Sequence, residues 1–96
     1  MIKHVICFKL KDEFKKDAKE VVDMLLSMRG KVPMAKTVNA YQDELHSARS
    51  YDVILEVTLE DFNALEEYQK DDYHAGVVKP FMHEKTATSV AVDFTL

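Results

Sequence analysis

Ninety-six residues fit a single domain with a core of its own, and 47% hydrophobic with 31% charged content is the balance of an ordinary globular chain. A net charge of −4 leaves no basic stripe to neutralise phosphates, which argues against a nucleic-acid partner. No apolar run is long enough to span a membrane, no leader-like stretch stands at the start, and the one cysteine, Cys7, cannot close an internal disulfide; together these predict a cytoplasmic protein.

The opening segment alternates strictly. Ile2, His4, Ile6, Phe8 and Leu10 share one face of a strand that ends near Leu10, so His4 is carried into the core with its neighbours. Cys7 lies on the reverse side with Val5 and reads as a small hydrophobe rather than a nucleophile. Asp12 offers an N-cap for a helix reaching about Met28, with Phe14, Ala18, Val21, Val22, Leu25 and Met28 at helical spacing. Its charges, Lys11 to Glu20, alternate in sign as a solvated face does. Arg29-Gly30 stops it, with Pro33 close behind.

Residues 36–44 predict a weak, polar second strand at a sheet edge, followed by a loop at 46–50. The third strand, Asp52 to Leu59, is clear: Val53, Leu55, Val57 and Leu59 lie on one face. Asp61 then caps a short helix holding Phe62, Leu65 and Tyr68. Asp71-Asp72 interrupts it before a second helical piece from Tyr73 to about Met82, which contains Pro80. In the last strand, Thr88 to Thr95, Val90, Val92 and Phe94 face one way and Ser89, Ala91 and Asp93 the other.

The resulting order, β-α-β-β-α-β over residues 1–96, is that of an α+β ferredoxin-like subunit whose helices cover one face of an antiparallel sheet. The second face then carries Val5, Cys7, Val90, Val92 and Phe94. A contiguous apolar patch of this kind predicts a symmetric homodimer, sheet against sheet, in a dimeric α+β barrel.

Four polar residues are candidates for one site: His4, Tyr68, His74 and Asp93. Asp93 beside His74 would fix the ring tautomer and raise its basicity, and the Tyr68 hydroxyl would donate to an enolate or oxyanion. Each also has a plain structural role open to it: a satisfied core histidine, an amphipathic core tyrosine, a first-turn histidine, an edge-strand charge. The associated pocket is expected between the sheet and the first helix, lined by Ile6, Phe8, Val22, Leu25, Leu26, Val53 and Leu55, with Ser89 and Ala91 leaving space. Two histidines and a carboxylate recommend a metal site only weakly, because no close ligand spacing supports it; no metal and no cofactor are expected.

The segments Ile2 to Lys11, Tyr51 to Leu59, Leu65-Glu66-Glu67-Tyr68 with His74, and Val92-Asp93-Phe94 resemble, in order and spacing, the stress-responsive A/B barrel (Dabb) family. The resemblance spans the chain and implies the same sheet-to-sheet dimer. Most of the family has no assigned reaction, but a plant member is a cofactor-free polyketide cyclase. Its strand-one histidine, helix tyrosine, post-helix histidine and last-strand aspartate match His4, Tyr68, His74 and Asp93. Its third-strand histidine is Val53 here, and the family's His-Pro-x-His is Asp71-Asp72-Tyr73-His74. Two readings follow: a dimer binding a small apolar or carbonyl-containing molecule with no assignable reaction, or a cofactor-free cyclase, lyase or isomerase removing a proton beside a carbonyl.

Overall fold

Alternation makes strand β1 (Ile2–Leu10) two-faced. Ile2, His4, Phe8 and Leu10 are buried, whereas Lys3, Val5, Cys7 and Lys9 are only half covered. The computed structural model describes residues 1–96 and places β1 inside a four-stranded antiparallel sheet of order β2-β3-β1-β4. The other strands are β2 (Thr37–Gln42), β3 (Val53–Leu59) and β4 (Thr86–Thr95). Register carries the parity of β1 across the sheet: His4 lies opposite Val57 and Asp93, Ile6 opposite Leu55 and Ala91, and Phe8 opposite Val53 and Ser89. This is the ferredoxin-like α+β arrangement, and β2 is an edge strand, as its polar sequence predicts.

All helices lie over the face that carries His4. The first helical stretch differs from its sequence pattern at the start. Residues Asp12–Asp17 form a 3-10 segment, and helix α1 covers only Ala18–Leu26, with no side-chain cap from Asp12 or Asp17. Among residues 12–17 only Phe14 is apolar, so the segment has little to bury and winds in the tighter form common at helix ends. Gly30 adopts φ +75° beyond the end of α1, a backbone angle that a side chain would strain. Val21 and Leu25 of α1 pack, fully buried, into one core with Val38, Leu55, Val57 and Leu59; each such side chain contributes about 1.5–3 kcal/mol.

Helix α2 (Phe62–Lys70) starts where expected, with the Asp61 carboxylate accepting from the Ala64 N–H at 2.8 Å. The next piece is not a plain helix. Asp71 Oδ2 accepts from the Tyr73 and His74 N–H groups at 3.0 and 3.1 Å, and residues His74–Val78 form a π turn that runs into α3 (Lys79–Lys85). Pro80 follows the Lys79 N–H to His74 carbonyl bond and, having no N–H, adds no further bond to the ladder where the π turn passes into α3.

The end of β1 is tied to the β3 approach through Asp52, whose Oδ2 accepts from the Leu10 N–H at 2.7 Å and from Lys15 at 3.0 Å. Burial alone would raise that carboxyl; the Leu10 and Lys15 contacts outweigh it and hold Asp52 below its ordinary value.

The reverse face of the sheet is bare. Val90, Val92 and Phe94 are 50%, 63% and 41% exposed. Pairing aligns Val90, Cys7, Ile54 and Tyr41 in a row across all four strands, with Val5 beside Val92. No helix of the chain is long and apolar enough to cross a membrane.

Candidate functional site

Three aromatic rings meet beneath the helices. His4, from the middle of β1, meets Tyr68 of α2 edge-on with centroids 5.8 Å apart, and Tyr68 lies against His74 at 4.2 Å and a 30° tilt. All three are buried, at 4%, 0% and 9% exposure. Asp93 on β4 stands opposite His4 in register and accepts from its Nδ1, which fixes the tautomer and leaves Nε2 without a partner. The Tyr68 hydroxyl donates to the Met28 thioether at 3.6 Å, and burial pushes that phenol well above its ordinary value.

Beside His74 lies a cavity of about 170 Å³, close to the roughly 150 Å³ that holds one benzene ring in an apolar site. Its floor is Ile6 and Phe8 of β1, Leu55 of β3 and Ser89 of β4. Tyr68, His74, Val78 and Met82 cover it, and Leu25 closes one side. Gln69, Lys79, His83 and Thr86 complete the lining; Lys79, His83 and Ser89 are exposed and mark the opening. Thr86 Oγ1, enclosed by protein, has no hydrogen-bond partner. No group of three or more His, Cys, Asp or Glu side chains is placed to hold a metal ion.

Burial holds His74 below its ordinary value of 6.5. The Lys79 charge and His4 push it further down, while Asp71 and the Gln69 backbone oppose them. The folded chain therefore takes up this proton at lower pH than the unfolded chain does. The stability His74 contributes is complete above about 6.5 and is lost as the pH falls through its lower folded value. Urea unfolding between pH 7.5 and 5 should show that loss, and His74→Gln should make the curve flatter. An unchanged slope would mean that His74 titrates normally in the folded protein.

The structure revises the expected grouping in three ways. Asp93 pairs with His4 and not with His74, because strand register sets Asp93 directly across from His4. The Tyr68 hydroxyl donates to the Met28 thioether. The cavity lies beneath the π turn and α3, and not beneath the first helix, because α1 packs chiefly against β2. Ile6, Phe8, Leu25, Leu55 and Ser89 line it. Val22, Leu26, Val53 and Ala91 do not: Val22 borders a shallow cleft near the β2–β3 loop, and Val53 borders another beside Cys7. Sequence reasoning missed Gln69, Val78, Lys79, Met82, His83 and Thr86. Lys79 and His83 carried a signal in their four-residue spacing, but His74 is five residues from Lys79, a step that regular helical spacing does not align.

Fold and buried ring cluster together define a ferredoxin-like α+β protein with a one-sided helical layer and a small cavity open to solvent on one side. Its whole length has solved counterparts. A dimeric ferredoxin-like protein of unknown function from Thermobifida fusca is 24% identical with a TM-score of 0.85, over 99% of this chain and 90% of that one. A dimeric protein of unknown function from Bacteroides fragilis is 15% identical with a TM-score of 0.85, over 99% and 95%. A Dabb family protein from Mesorhizobium loti is 13% identical with a TM-score of 0.74, over 99% and 95%. The chain belongs to the stress responsive A/B barrel domain family, Dabb, whose model matches residues 2–96. No curated protein is similar enough to count as a match.

Proposed function

We propose that this Dabb-domain chain is a homodimer that binds a small, mostly apolar molecule in the cavity beneath the π turn and α3, without a cofactor. The observation that carries the reading is the cavity itself: about 170 Å³ left unfilled beside His74, with a largely apolar lining. A space that served only as core would be filled. Proton abstraction is the weaker reading: the groups it needs point to different partners, Asp93 to His4 and the Tyr68 hydroxyl to Met28. The dimer rests on the bare apolar face built on Val5, Cys7, Val90, Val92 and Phe94, and on the dimeric state of the T. fusca and B. fragilis proteins. An unpaired cysteine suits a reducing, cytoplasmic setting.

Filling the cavity tests the binding reading. Ser89 is exposed on β4 at the opening, so Ser89→Phe should occupy the space without disturbing the fold. Benzene added to the wild type should shift the methyl resonances of Ile6, Leu25 and Leu55, and the variant should lose that response. Equal responses, or none in the wild type, would count against a cavity that binds.

A further inference from the structure

We propose that the cavity selects a small carboxylate, its charge held at the opening by Lys79 and His83 and its apolar body lying on Phe8, Leu55 and Met82. This deepens the binding reading above and rests on it.

The π turn is what assembles the opening. The Lys79 N–H bonds to the His74 carbonyl, an i→i+5 link that stacks these two residues on one side of the helix. His83 follows four residues later on α3, where regular helical spacing keeps it in line with Lys79. His74, Lys79 and His83 thus all reach the same cavity. With a regular α-helical turn in place of the π turn, Lys79 would be rotated away from the face that carries His74. A π turn of this kind is an energetically inferior choice that recurs at functional sites.

Charge points the same way. The chain has 17 acidic and 13 basic residues, yet no acidic side chain lines the cavity. The one permanently charged residue in the lining is Lys79, which with His83 also borders a surface cleft beside Ala75 and Pro80. A cationic ligand would meet the Lys79 ammonium directly, and a neutral one would leave it unused. A bare inorganic anion would gain nothing from the apolar floor. A carboxylate with a short hydrocarbon body uses both parts, with Lys79 and the His83 ring N–H as donors.

Three probes of one length but different charge test this on the full chain: hexanoate, 1-hexanol and hexylamine, titrated against methyl-labelled protein. Shifts at Ile6, Leu25, Leu55 and Met82 report occupancy. Hexanoate should bind about tenfold more tightly than hexanol, the scale of one hydrogen bond to a charged group, and hexylamine more weakly than either. Lys79→Gln should narrow the acid-over-alcohol preference roughly fivefold, as expected for one partly exposed charge contact. Hexanol binding as tightly as hexanoate, or a preference untouched by Lys79→Gln, would overturn the charge selection and leave the pocket standing. If none of the three moves these methyls at millimolar concentration, both the selection and the binding reading fall.

Discussion

Replacing Val92 with Asp is expected to convert a dimer into a monomer that keeps its fold. Val92 faces away from the helices beside Val5 and is 63% exposed in the single chain, so a carboxylate there costs the subunit almost nothing. In a two-fold, sheet-to-sheet contact the same position is covered in both copies. A charge taken out of water without a partner costs about 3–5 kcal/mol. Two such charges weaken the dimer by well over a thousandfold, at about 1.4 kcal/mol per factor of ten. Sedimentation at micromolar concentration should give the mass of two 11.1 kDa chains for the wild type and one for the variant, with unchanged circular dichroism. A variant that still sediments as a dimer would place the interface on another face.

Tyr68 should show the largest single-residue effect on stability. Its ring is completely buried, touches both buried histidines and belongs to the main core cluster. Tyr68→Ala should cost about 3–5 kcal/mol, the usual range for removing a buried aromatic side chain. That is a large share of the roughly 5–15 kcal/mol that holds a small domain together. Tyr68→Phe should cost under about 1 kcal/mol, because the hydroxyl gives up only a bond to the weak Met28 thioether acceptor. The contrast in urea midpoints separates the ring's packing from the hydroxyl's chemistry. If Phe proves as costly as Ala, the hydroxyl does more than its contact with Met28 indicates.

Strands were the legible part of this chain. A period of two is unambiguous where Ile2 to Leu10 and Val53 to Leu59 alternate, and parity alone puts His4 inside and Val5 outside. From those parities the bare face follows. Partnerships inside the site were less legible, because they depend on register and on helical phase, which the pattern of single elements does not encode. Asp93 shares the inner face with His4 at a matching register position, but nothing local in its strand says which histidine it meets. The π turn adds a residue to the helical repeat after His74, and that shift moved Lys79 and His83 onto the cavity. The sequence pattern starts the last strand at Thr88, whereas β4 begins at Thr86 and sets that hydroxyl inside.

The central question is whether the space under the π turn is a true binding cavity, and xenon under pressure in crystals of the wild-type protein answers it most directly. Xenon enters preformed apolar cavities without chemical preference. Density for it should stand beside Phe8, Leu55 and Met82, under His74. Crystals in which those side chains close on one another and xenon settles elsewhere would contradict the binding site proposed for this protein.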